Sequence, residues 1–169
     1  MFQGLIVAVT AVLVGLDQLT KWLAIVYLKG KPDITCIPGV IDFHYVPNDG
    51  AAWSILSGER WFLVALTSLI IVALFAFVLM GKFRRYKMFN ISATLIIAGG
   101  IGNLIDRMVQ GYVVDFIKTT FMEFPVFNVA DCFIVVGSIL LLVFFLFFYE
   151  EKAPAEVANG NETHTSSGS

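Results

Sequence analysis

Four long apolar runs dominate the chain, separated by short polar stretches. A helix needs about 20 apolar residues to cross a bilayer. The runs at about 2–28, 61–80, 88–105 and 129–149 each predict a membrane-spanning helix. The first is interrupted by Asp17 and Lys21. It is expected to be retained and not cleaved as a secretory leader, since no basic segment precedes it and no small-x-small site closes it. Between the helices the period changes. Ile41-Asp42-Phe43-His44-Tyr45 alternates apolar and polar residues, a strand pattern, and Pro38-Gly39 precedes it as a turn. Tyr112 to Ile117 is β-branched and aromatic and also reads as extended. The predicted fold is an all-α membrane protein: one four-helix unit over 1–152, with a small extracytoplasmic β-sheet formed by the loops 29–60 and 107–127. Residues 153–169 predict a disordered tail, because Glu, Asn, Thr, Ser and Gly cannot bury a core.

Charge sets the orientation. Lys82, Arg84, Arg85 and Lys87 crowd the link between the second and third helices, which places that link in the cytoplasm. Four spans then put both termini in the cytoplasm and the two long loops outside. Composition agrees with the membrane class. Of 169 residues, 58% are hydrophobic and 14% charged, against about 25% charged in soluble domains. The absence of a basic stripe argues against a nucleic-acid partner. Cys36 and Cys132 lack metal-ligand spacing, and His44 and His164 lie far apart. Neither a metal nor another cofactor is expected.

The candidate chemistry lies in polar residues that lipid penalises. Asp17 and Lys21 are four residues apart and share a helix face. A packing salt bridge is an equally good account of that pair. Gly99, Asn103 and Asp106 or Arg107 line one stripe at the end of the third helix, where the glycines permit close packing. Asp115 sits between apolar neighbours in Val113-Val114-Asp115-Phe116. Asn128 is a good N-cap for the fourth helix, with Asp131 in its first turn. Topology brings Asp17, Lys21, Asn48, Asn103, Arg107, Asp115 and Asp131 to one depth, the outer membrane boundary. Polar residues converging at one level make a site. No Ser–His or Cys–His pair is available, and His44 is a remote partner for Cys132. Two carboxylates sharing a proton can activate water, so peptide hydrolysis ranks slightly above proton-coupled transport.

Five blocks carry a closer resemblance. They are Asp17-Gln18-Leu19-Thr20-Lys21, Asn48-Asp49-Gly50-Ala51-Ala52-Trp53, Gly99 through Arg107, Gly111 through Phe116, and Phe127-Asn128-Val129-Ala130-Asp131. In order and spacing they resemble lipoprotein signal peptidase, or signal peptidase II. The resemblance implies that Asp115 and Asp131 are a catalytic aspartate pair. It implies supporting roles for Asp17, Lys21, Asn48, Gly50, Asn103, Arg107, Asn128 and Ala130. It also implies a prolipoprotein substrate whose cysteine carries a diacylglyceryl group, cleavage just before that cysteine, inhibition by globomycin, and no metal. Membrane lipid is the remaining expected partner. Trp53 is expected at the interface, and the outer sheet over the substrate. Asp49 and Asp106 are expected to stand outside the catalytic pair.

Three rival readings make different demands. A transporter distributes its charges through the membrane. A presenilin-type protease needs Gly-x-Gly-Asp, whereas Gly100-Ile101-Gly102 is followed by Asn103. A structural subunit leaves the five blocks unexplained.

Overall fold

A computed structural model describes residues 2–50, 55–81 and 83–149. The elements in chain order are α1 (Phe2–Leu28), β1 (Ile34–Ile37), β2 (Ile41–Asn48), α2 (Arg60–Leu79), α3 (Lys87–Val109), β3 (Val113–Thr119) and α4 (Val129–Phe147). All four helices are long and apolar enough to cross a membrane, as the hydropathy pattern predicts. α3 extends past the expected end at Ile105, so Asp106 and Arg107 are helical. Trp53, Lys82 and the tail over 153–169 lie outside the described residues.

α3 is the hub of the bundle. The most apolar 18-residue window of α3 is 61% buried, against 11%, 11% and 17% in α1, α2 and α4. Against α2 and α4 it is also less apolar, with a mean hydropathy of 1.6 against 2.9 and 2.7, while α1 is comparable at 1.5. The inversion has a physical cause. Lipid solvates apolar side chains as well as a protein core does, so helices associate through small and polar residues instead. A Cβ on Gly99 would collide with the Ala130 carbonyl oxygen of α4, and one on Gly102 with the Asp17 carboxylate of α1. The two glycines therefore let both neighbouring helices close on α3.

The two ends of the bundle differ. At one end Phe83, Phe89 and Phe144 form a buried aromatic cluster, with Phe83 and Phe89 rings stacked 4.5 Å apart. Asn90 Nδ2 donates to the carbonyls of Phe83, Arg84 and Tyr86, which closes the basic turn between α2 and α3. At the other end lies an antiparallel sheet in the order β1-β2-β3. Gly39 supplies the positive φ of +73° in the β1–β2 turn. β1 has no counterpart among the expected strands. Its four residues are all exposed, so no inside–outside alternation marks them, and pairing with β2 defines the strand.

The sheet is seated on the end of α1. Val114 and Phe116 of β3 and Phe43 and Tyr45 of β2 pack with Ala24 and Leu28. Side chains alternate along a strand, so Asp115, between Val114 and Phe116, turns to the opposite face. Packing of its two neighbours thereby aims the carboxyl at the bundle axis, opposite Val46 of β2.

Candidate active site

Asp115 is 2% exposed. Its Oδ1 accepts from Asn128 Nδ2 at 2.7 Å and its Oδ2 from Asn48 Nδ2 at 2.8 Å. Burial pushes its pKa up to about 6, against the opposing pull of the Asn48 amide. The negative charge of Asp131 raises it further, and the Asn128 amide and Lys21 oppose.

Asp131 occupies the first turn of α4, where a capping box forms with Asn128. Asn128 Oδ1 accepts from Asp131 N at 3.0 Å, and Asp131 Oδ2 accepts from Asn128 N at 3.1 Å. Capping occupies Asn128 Oδ1 and one of the two Asp131 oxygens. The amide of Asn128 remains free to hold Asp115, and Asp131 Oδ1 accepts from Asn103 Nδ2 at 2.8 Å. The cap and the site are thus one construction. A helix terminus rigidly places the second carboxylate, and the capping Asn bridges it to the first.

A buried ionic network underlies the pair. Lys21 Nζ contacts Asp17 Oδ2 at 2.9 Å, Asp106 Oδ2 at 3.1 Å and Asn103 Oδ1 at 2.9 Å, which matches its three N–H donors to three acceptors. Asn103 Oδ1 also accepts from Asn128 Nδ2 at 3.2 Å. Asp17 Oδ1 accepts from Ala130 N at 2.9 Å, which ties α1 to the start of α4. Arg107 Nη2 donates to the Gly50 carbonyl at 2.8 Å and pins the chain leaving β2. Its Nε is buried without a partner among the described residues.

All ten residues singled out from the sequence meet here. Asp49 does not: it is exposed and accepts from Ser57 at 2.7 Å. His44 pairs with Asp33 at 2.5 Å on the exposed sheet, so its ring is engaged away from Cys132. Two further participants are Asp106, which the sequence admits to the stripe only as an alternative to Arg107 and outside the expected pair, and Gln18, to which it gives no role. Asp106 is 1% exposed. It accepts from Val114 N at 3.1 Å, beside Asp115, and from Gln18 at 2.9 Å, besides contacting Lys21. Gln18 also donates to the Gly102 carbonyl at 3.1 Å. Helical spacing admits Asp106 or Arg107 to the stripe, and both in fact face inward.

Asp106 therefore braces both aspartates, Asp115 through the β3 backbone and Asp131 through Lys21 and Asn103. Asp106→Asn should lower stability by about 1.5–3 kcal/mol, the usual worth of hydrogen bonds to a charged group. Any activity of the site should fall less than on loss of Asp115 or Asp131. Thermal unfolding and cleavage assays check this; a variant matching wild type in both would remove Asp106 from the network.

Asp115 and Asp131 line a cavity of about 490 Å³ with Asn48, Asn103 and Arg107. Its far wall includes Val135 and Val136, which are 55% and 49% exposed on the outside of α4. The cavity thus opens sideways, toward whatever surrounds the bundle. Paired carboxyls on amide supports, with no hydroxyl or thiol nucleophile joined to a histidine among the described residues, suit acid–base activation of water.

Fold and site together define a polytopic membrane protein with a paired-carboxyl cavity at one end of its bundle. The chain belongs to the signal peptidase II family, whose model matches residues 9–147. It is 38% identical over 152 residues to the lipoprotein signal peptidase of Enterococcus faecalis, covering 90% of this chain and 92% of that one. To the lipoprotein signal peptidase of Streptococcus thermophilus it is 43% identical over 131 residues, 78% and 85% of the two chains. A bacterial membrane enzyme solved in meso at 2.3 Å superposes with a TM-score of 0.77 at 32% identity, over 89% of this chain and 94% of that one. Membership makes the chain a membrane protease of lipoprotein processing and disfavours the transporter reading.

Proposed function

We propose that this protein is an aspartic endopeptidase that removes signal peptides from diacylglyceryl-modified prolipoproteins, cutting just before the modified cysteine. The observation that carries the reading is the bridging of Asp115 and Asp131 by Asn128 and Asn103 at one cavity. In this mechanism one aspartate is ionised and the other protonated. The ionised carboxylate takes a proton from water as the oxygen attacks the scissile carbonyl carbon. The protonated carboxyl donates to the carbonyl oxygen, stabilising the tetrahedral intermediate. Collapse breaks the C–N bond, and a proton passes from the dyad to the leaving cysteine nitrogen. Arg107, with its free buried Nε, is suited to hold a substrate carbonyl.

The bilayer supplies proximity. Dense positive charge at Arg84, Arg85 and Lys87 supports a cytoplasmic position for the α2–α3 turn. The sheet end then faces outward from the bacterial inner membrane, with both termini in the cytoplasm. The lipid-bearing cysteine enters sideways past Val135 and Val136, its acyl chains still in the membrane, and reaches the carboxyls already oriented. Globomycin-type inhibitors occupy the same cavity in this reading. Incubating the purified protein with lipid-modified and unmodified prolipoprotein tests it; equal cleavage of both, or of neither, would refute it.

Two further results are expected. Burial raises the pKa of Asp115 to about 6, so the pair loses a proton near that pH, with Asp115 contributing to the step. A raised pKa keeps this carboxyl protonated at acidities where an ordinary aspartate has ionised, and the proton leaves as pH passes about 6. A plot of kcat/KM against pH should bend downward there. A profile flat from about pH 5 to pH 8 would deny Asp115 that role. The tail, given its composition, is dispensable. Deleting 154–169 should leave cleavage unchanged, and loss of most activity in a well-folded truncation would show otherwise.

A further inference from the structure

A second hollow, of about 1040 Å³, opens beside the first. Val46 and Pro47 of β2 form one side, Lys118 and Thr119 the end of β3, and the segment 120–126 the opposite wall. Asn48, Asp115, Phe124, Pro125 and Val126 line both hollows, so Asp115 stands at their junction. Their chemistry differs. The bundle cavity continues into Ile134, Val135 and Val136, while the sheet groove, though walled by Phe121 and Met122, adds Lys118, Thr119, Thr120 and Glu123. A substrate anchored in lipid on one side of the cleaved bond and hydrated on the other has the same asymmetry.

β3 joins the two. Val113 lines the bundle cavity, Asp115 both, and Thr119 the groove. The strand thus runs from one hollow to the other. From Asp115 to Thr119 the strand advances about 13 Å at roughly 3.3 Å per residue, room for about four extended residues. Thr119 Oγ1 donates to the Met122 carbonyl at 3.3 Å, which holds the wall of the groove at its far end.

We infer that the sheet groove binds, as extended chain, the first residues of the mature protein on the carboxyl side of the cleaved bond. The inference rests on the peptidase reading above. It assigns Thr119 and the segment 120–126 a part in substrate selection. It also requires an unfolded tether of about four residues between the lipidated cysteine and any folded domain, because a globular body cannot enter the groove.

The test uses the intact enzyme and lipid-modified peptides identical through the cysteine but followed by one to eight further residues. With wild type, kcat/KM should climb about tenfold as the tether reaches roughly four residues, then level off, as one or two net hydrogen bonds would give. Thr119→Trp fills the groove away from the carboxyls. It should abolish the climb, while the shortest substrate, which does not reach Thr119, is still cleaved. A length-independent kcat/KM in wild type would overturn the inference, even if the variant misfolds. So would a folded Thr119→Trp enzyme that retains the climb. Cleavage of no peptide in the series would instead overturn the peptidase reading beneath it.

Discussion

Asp115→Asn and Asp131→Asn should each reduce turnover by several powers of ten while substrate or globomycin binding largely survives. Asn keeps the shape of Asp, but it accepts only one of the two hydrogen bonds that each carboxylate now takes, and it can neither take a proton from water nor carry the shared one. Loss of general-base catalysis alone contributes about two to four powers of ten. The double variant should be little worse than either single one, because the carboxyls act as a unit. Asp49→Asn provides the contrast: its carboxylate is exposed and paired with Ser57, and lines neither hollow. Its cleavage rate should stay near wild type. Single-turnover cleavage of lipid-modified substrate, with inhibitor binding as a folding control, measures both effects. A folded Asp115→Asn or Asp131→Asn protein that cleaves at near wild-type rate would end the dyad account.

Lys21→Ala should be the most destabilising substitution in the site. The ammonium is 2% exposed, and Asp17 and Asp106 beside it are 0% and 1% exposed. Without Lys21, two buried carboxylates face each other and Asn103 Oδ1 loses its charged donor. Breaking a buried pair by removing one member costs about 3–5 kcal/mol. For a chain of this size that lowers the melting temperature by roughly 6–20 °C. Activity should fall too, since Asn103 holds Asp131. Lys21→Met keeps the stem and should melt as low as Lys21→Ala, which separates charge from packing. A Lys21→Ala protein that unfolds at the wild-type temperature in detergent would show that the network does not stabilise the bundle.

Much of this architecture is readable from one dimension, because lipid imposes a simple rule. Backbone polar groups must be satisfied inside each span, so a spanning apolar run becomes a helix. Hydropathy therefore determined the four helices to within a few residues, and the polar interruptions marked Asp17, Lys21, Asn103, Arg107, Asp115 and Asp131 as unusual. The five motif blocks supplied the family and named Asn48, Gly50, Asn128 and Ala130, which periodicity alone would have left as loop and cap residues.

Tertiary structure decided what each residue touches. No local pattern reveals that Asn128 caps α4 and holds Asp115 with the same side chain, since its partners lie on α3, β3 and α4. β1 escaped notice because a short, fully exposed strand is defined by its partner and not by alternation. Asp106 could not be told from Arg107 by spacing. Adjacent helical positions differ by about 100° in direction, and only the simultaneous packing of α1 on one side and β3 on the other makes room for both inside. Sequence thus determined which membrane helices exist and which polar residues lipid must tolerate. Only long-range packing, through Gly99 and Gly102 against neighbouring helices and through Val114 and Phe116 on α1, determined that two carboxyls would share one cavity.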